Sequence, residues 1–232
     1  MEHILITGAN RGIGLAVVEE YLSRGDARVY STCRHPEEAT ALQKLAKKHD
    51  QLEIIPLDVT EQASIQRAFR EISAMTTILD VVINNAGIDP PGQSFNTITA
   101  DLMLEVYRVN TAAPMIISQT ALPFLKNSDN ARLIHISTSM ASLENRSYGG
   151  SYAYCSSKAA LNMAMRGMAV DLRRDRIITI ALDPGWVQTD MGGDSAPLDP
   201  KDSAEGIVNV IEGLRSSDSG HYLVYDGSEH PW

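Results

Sequence analysis

Seven short runs rich in apolar and β-branched residues alternate with helical segments along the 232 residues, and this alternation leaves the chain few folds to adopt. The runs lie at 4–7, 28–32, 52–57, 79–84, 132–137, 177–182 and 221–224. Helical patterns fill 13–24, 36–48, 61–75, 99–125, 152–174 and 202–214. Strands joined by helices run parallel, and the crossovers place helices on both faces of the sheet. A strand covered on both faces reads as a continuous apolar run, as Ile4-Leu5-Ile6 does. The expectation is a single α/β domain over 1–232, with a doubly wound, seven-stranded parallel sheet.

The first strand runs directly into Thr7-Gly8-Ala9-Asn10-Arg11-Gly12-Ile13-Gly14, and a helix begins there. Such a turn needs close approaches and backbone angles that glycine adopts cheaply. The helix start presents unpaired N–H groups and partial positive charge, which suits an anion such as a cofactor pyrophosphate. A glycine loop in this place is the dinucleotide-binding arrangement of a Rossmann-type fold.

Composition removes other classes. The formal net charge of −9 opposes binding to nucleic acid or an anionic membrane without a strong basic patch. The short clusters Lys47-Lys48 and Arg173-Arg174 read as solvated helix ends. No run reaches the ~18 apolar residues of a membrane helix. Two cysteines, Cys33 and Cys155, fit a reducing compartment, and no leader is visible at Met1-Glu2-His3, so the cytoplasm is expected. No metal motif is present; His135, His221 and the other histidines are scattered, and no metal is expected.

Taken in order, the motifs resemble the short-chain dehydrogenases/reductases, and the likeness extends over nearly the whole chain. The glycine loop matches Thr-Gly-x-x-x-Gly-x-Gly. Asp58-Val59 follows the third strand, Asn84-Asn85-Ala86-Gly87 follows the fourth, and Asn110 lies in Val109-Asn110-Thr111. Tyr154-Cys155-Ser156-Ser157-Lys158 matches Tyr-x-x-x-Lys, and Pro184-Gly185-Trp186-Val187-Gln188-Thr189 matches the Pro-Gly motif after the sixth strand. The chain is most similar to the small carbonyl reductases of the C-factor-like and Sniffer-like groups.

The resemblance implies hydride transfer between a nicotinamide and a carbonyl or alcohol, with a small molecule as the only partner besides copies of the chain. It implies a cofactor site made of Gly8, Asn10, Arg11, Gly12, Ile13, Gly14, Arg34, Asp58, Val59, Asn85, Ala86, Gly87, Tyr154, Lys158, Pro184, Gly185, Val187 and Thr189. NAD-preferring sites place a carboxylate about 20 residues past the glycines. Here Cys33 and Arg34 stand in that place, and Arg11 and Arg34 could both pair with a 2′-phosphate, so the cofactor expected is NADP(H).

Tyr154 and Lys158 lie one helical turn apart, and of the nearby tyrosines Tyr148, Tyr152 and Tyr154 only the last has a lysine in reach. An ammonium beside a phenol favours the phenolate, so the phenol is expected to titrate below its ordinary ~10 and to serve as general acid or base. Asn110 has a supporting role in the family, distorting its helix. The family's active-site serine falls in Ile136-Ser137-Thr138-Ser139; a gapless match places Thr138 there and a one-residue shift places Ser139, and both stay open.

The segment 185–200 follows a strand's carboxyl end and reads as a lid, and Met140, Ser142, Asn145, Trp186 and Met191 are expected around the substrate. The long helices at 99–125 and 152–174 pair across a two-fold axis in family members, so a homodimer or homotetramer is expected. Two alternatives remain open. One is a regulatory or signalling protein that binds the cofactor without catalysis; the other is an epimerase or enoyl reductase on the same fold.

Overall fold

The computed structural model describes residues 1–232. Its strands are β1 (Glu2–Thr7), β2 (Ala27–Cys33), β3 (Leu52–Pro56), β4 (Val81–Asn84), β5 (Arg132–Ile136), β6 (Ile178–Asp183) and β7 (Tyr222–Val224). They form one sheet in the order β3-β2-β1-β4-β5-β6-β7, and every pairing is parallel. The expected single-domain, seven-stranded architecture is the one observed.

Side-chain alternation splits the core between the two faces. On one side Ile4, Ile6, Ile83, Ile134 and Ile180 meet α1 (Gly12–Arg24), α2 (Thr40–Ala46) and α7 (Pro200–Gly213). On the other, Leu5, Val82 and Leu133 meet α3 (Gln62–Met75) and α5 (Ala113–Leu125), while Ala181 and Tyr222 meet Met165 and Ala169 of α6 (Tyr152–Asp171). Each fully buried Leu or Ile contributes on the order of 1.5–3 kcal/mol, so burial on both faces dominates the stability.

Several helix boundaries differ from the sequence pattern. At 36–48 only Thr40–Ala46 is helical, because the Gln43 amide donates to the Pro36 and Glu37 carbonyls at 2.7 and 3.1 Å and holds 36–39 as a turn. The helix expected over 99–125 is interrupted: α4 (Ala100–Tyr107) passes through a π-helical turn, Arg108–Ala112, into α5. The last turn of the expected 152–174 helix tightens into a 3₁₀ turn at Leu172–Asp175. α7 begins earlier than expected, with Asp199 capping the Lys201 N–H at 2.8 Å and Pro200 in the first turn.

β1 and β4 are neighbours in the sheet although two strands separate them in sequence. The chain leaves β1 toward one edge and β4 toward the other, so the loops at their carboxyl ends diverge and open a crevice.

Candidate functional site

The crevice has a volume of about 250 Å³ and is floored by the loop from β1 to α1. Gly8 has φ +65°, and a Cβ there would fall 2.9 Å from the Ala86 backbone. A Cβ on Gly14 would fall 2.5 Å from both Asn85 Nδ2 and the Gly8 carbonyl. The glycines therefore let α1 start directly beneath the loop after β4. Thr7 joins the two loops: its hydroxyl accepts the Asn85 and Ala86 N–H groups at 3.0 and 3.1 Å, and Asn85 Nδ2 returns bonds to the Thr7 and Gly8 carbonyls.

Gly8, Asn10, Arg11, Gly12, Ile13, Gly14, Arg34, Asp58, Val59, Asn85, Ala86, Gly87, Tyr154, Lys158, Pro184 and Thr189 all line this crevice. Gly185 and Val187 do not. Gly185 is pressed against Leu198 and Tyr225, and Val187 is buried where it bridges to Leu198. Both shape the segment that follows β6. Arg11 and Arg34 are exposed at the outer end, and Arg11 pairs with Asp190 at 2.9 Å. Burial pushes the Asp58 carboxyl up, but the Thr60 hydroxyl and N–H bonded to it bring it below the ordinary value, so it is charged.

At the inner end, Tyr154 and Lys158 project from the first turns of α6, and both are buried. Lys158 Nζ donates to the Ile136 carbonyl at 2.7 Å, and burial pushes its pKa down to about 8. The expected acidic phenol is not found here. Burial raises the Tyr154 pKa above the ordinary tyrosine value, the Asp89 and Asp183 carboxylates add to the rise, and a hydrogen bond with Thr138 opposes it. The Lys158 ammonium is engaged with a backbone carbonyl and is not among the groups that shift the phenol, so the phenol keeps its proton at neutral pH.

Thr138 and Ser139 face different partners. The Thr138 side chain lies near the phenol of Tyr154 and accepts the Met140 N–H at 3.3 Å, whereas Ser139 donates its N–H to Asp183 Oδ2 at 2.9 Å. Asn110 is fully buried in the π turn, where its amide accepts from the Ile88 N–H and donates to the Ile88 carbonyl, each at 2.9 Å. A Cβ on Gly87 would lie 3.4 Å from Asn110 Oδ1 and 3.5 Å from Lys158 Nζ, so the three groups meet at one point. The bulge in the helix places Asn110 there, as such turns often do near functional groups.

Among the expected substrate-facing residues, Trp186 and Met191 are exposed and Met140 is partly so. Ser142 is not a wall: it is buried, donates to the Trp232 main-chain oxygen at 3.1 Å and accepts from the Asn145 N–H. The segment 185–200 is internally bonded, with Gln188 N–H donating to the Leu198 carbonyl at 2.9 Å and Trp186 Nε1 to that of Gly192 at 2.8 Å.

Two contributors escape the sequence reading. The Gln93 carbonyl of the side chain accepts the Tyr154 N–H at 2.7 Å, capping α6 from a loop 61 residues away, and no local pattern signals it. Asp183 ends β6, 5% exposed, where its two oxygens accept the Ser139 and Gly185 N–H groups. An acidic residue at the end of the apolar run 177–182 was the available signal.

The short chain dehydrogenase family model matches residues 2–198. The C-signal protein of Myxococcus xanthus is 41% identical over 166 residues, which cover 72% of this chain and 99% of that protein. The NADPH-bound carbonyl reductase from chicken fatty liver superposes with a TM-score of 0.96 at 38% identity, over 100% of this chain and 99% of that one. The carbonyl reductase Sniffer of D. melanogaster gives a TM-score of 0.97 at 36% identity, with both chains fully covered. No helix is long and apolar enough to cross a membrane.

Proposed function

The chain belongs to the short-chain dehydrogenase family, and from that membership we propose that it is an NADP(H)-dependent reductase of aldehydes or ketones, acting in reverse on the matching alcohols. The observation that carries this reading is the meeting of a protonated phenol and an ammonium, from Tyr154 and Lys158, at the inner end of a glycine-floored crevice, with Thr138 near the phenol.

The residues present fit a dinucleotide. Side chains at Gly8 and Gly14 would fill the cradle, and the first turn of α1 aims its N–H groups into the crevice. Gly8 to Gly14 would hold the pyrophosphate, Asp58 and Val59 the adenine side, and Arg11 and Arg34 a 2′-phosphate, with no carboxylate at Cys33 or Arg34 to repel it. The NADPH and NADP reported in related structures agree with this assignment. When bound, the cofactor supplies the hydride.

The chain's own residues supply the proton and the placement. A phenol held in its protonated form can donate to a carbonyl oxygen as negative charge develops there, which favours reduction. The Thr138 hydroxyl would donate a second hydrogen bond to the same oxygen and orient it. Lys158, charged below pH about 8, stabilises the phenolate left behind and restores its proton. Asn110 ties the Ile88 backbone beside Gly87 and so fixes the wall opposite Lys158. Thr189, Asp190 and Met191 bring the segment 185–200 onto the crevice as a cover.

NADPH consumption with a panel of aldehydes and ketones tests the reading. Tyr154→Phe should abolish turnover and leave NADPH binding within a few-fold; unchanged turnover would refute the role of Tyr154. The relative named C-signal favours a second reading, a cofactor-binding signalling protein. That reading expects NADPH binding without consumption in the unaltered protein. The exposed Leu104 on α4 and Met163 and Val170 on α6 support self-association through these helices, and sedimentation of a dimer or tetramer, against a monomer, decides it.

A further inference from the structure

The segment carrying Thr138 leaves β5 with no regular strand to hold it, yet its hydroxyl must meet the phenol within a fraction of an ångström to be of use. Four bonds from outside the family's motifs pin it. The Tyr222 hydroxyl on β7 donates to the Thr138 carbonyl, so it fixes the residue itself. Asp183 takes the next N–H, that of Ser139, at 2.9 Å. Further along, the Trp232 main-chain oxygen accepts from the Ser142 hydroxyl and the Glu144 N–H at 3.1 and 2.9 Å.

These anchors are themselves fixed. The Tyr222 ring is fully buried, with Trp232 and His230 against it at centroid distances of 5.5 and 4.7 Å. Asp183 has no cationic side chain within salt-bridge distance. Its charge is met by two backbone N–H groups, the second being that of Gly185 at 3.0 Å. A buried carboxylate kept without a cation is costly unless its hydrogen bonds are made. It is here the single atom group shared by the Thr138 segment and the start of the cover over the crevice.

We propose that Asp183 and Tyr222 are positioning residues: Tyr222 holds Thr138 against the phenol of Tyr154, and Asp183 locks the Thr138 segment to the Gly185 end of the cover, so that both sides of the substrate site move as one. The proposal rests on the assignment of Thr138 and Tyr154 to the reacting carbonyl. It predicts that these two residues govern turnover and leave cofactor affinity alone, since neither lines the cofactor crevice.

The test compares Tyr222→Phe and Asp183→Asn with the unaltered enzyme. Tyr222→Phe removes one hydroxyl and keeps the ring packing, so it folds even if Asp183→Asn does not. The side-chain amide that Asp183→Asn introduces can accept one N–H but must turn its own NH₂ toward the other, which breaks the link. Hydrogen exchange followed by mass spectrometry, without cofactor or substrate, should show peptides spanning 137–144 exchanging at least about fivefold faster in both variants, and peptides spanning 184–190 faster only in Asp183→Asn. Steady-state assays should show kcat at least about tenfold lower, with the NADPH dissociation constant and the carbonyl KM within about twofold. Unchanged exchange, unchanged kcat, or a loss expressed in NADPH affinity would each overturn the proposal. Because the exchange measurement needs no turnover, an enzyme inert to every carbonyl tried would refute the catalytic reading while the clamp is still judged on its own.

Discussion

Replacing Thr7 by valine removes one oxygen and nearly preserves the shape of the side chain, so it isolates the hydroxyl that joins the glycine loop to the loop after β4. Thr7 is 1% exposed, and its hydroxyl accepts from the Asn85 and Ala86 N–H groups at 3.0 and 3.1 Å while donating a longer bond to the Ile83 carbonyl. A buried N–H left without a partner costs about 1–3 kcal/mol. Asn85 and Ala86 border the crevice and can recover some water, which places each at the lower end of that range. With a little returned by the extra methyl, Thr7→Val should lose about 2 kcal/mol, or roughly 4–8 °C in Tm for a chain of this size. Thr7→Ser keeps the hydroxyl and loses a methyl, for about 1 kcal/mol. Urea melts should therefore rank the unaltered protein above Thr7→Ser and Thr7→Val last. NADPH titration should show affinity weakened about tenfold in Thr7→Val alone, because Asn85 to Gly87 lose their anchor. Thr7→Val more stable than Thr7→Ser, with unchanged NADPH affinity, would refute the claim that this hydroxyl carries the junction.

Arg11→Ala and Arg34→Ala should each raise the KM for NADPH about tenfold to a hundredfold, as expected for a lost charge-assisted bond, and leave that for NADH nearly alone; equal losses with both cofactors would remove the 2′-phosphate assignment. Because Lys158 loses its proton near pH 8, kcat for carbonyl reduction should fall as the pH rises through that value, and a flat profile to pH 9.5 would contradict it. His135 is fully buried and, chiefly through burial and secondarily through Lys158, its pKa is pushed down to about 3. The unfolded chain takes up that proton near pH 6.5 and the folded one does not, so stability is fully present above pH 6.5 and should fall by about 4 kcal/mol as the pH drops toward 3. His135→Asn should flatten this part of the stability profile in calorimetry, and an unchanged slope would show that other groups control acid unfolding.

The alternation of apolar runs with helical patterns, the glycine loop after β1 and the Tyr154–Lys158 spacing were legible because each depends on neighbours within a few residues. Strand burial, helix-face sharing and tight turns are local consequences of side-chain size and backbone freedom. The parallel direction of the strands followed as well, since helical crossovers leave little choice. Where the reading erred, distant atoms decided. Gln43 turned 36–39 out of its helix; the π turn that splits the helix over 99–125 at Asn110 is the distortion the family resemblance implied, though helical periodicity alone gave no sign of it. Adjacent hydroxyls did not separate Thr138 from Ser139; Asp183, 44 residues from Ser139, holds the Ser139 N–H, while the Thr138 side chain lies near Tyr154. The titration of Tyr154 reversed for the same reason. Spacing on a helix puts a lysine within reach, but the free energy of a phenolate depends on how much water the whole fold removes, and on the carboxylates of Asp89 and Asp183 that two other loops bring near.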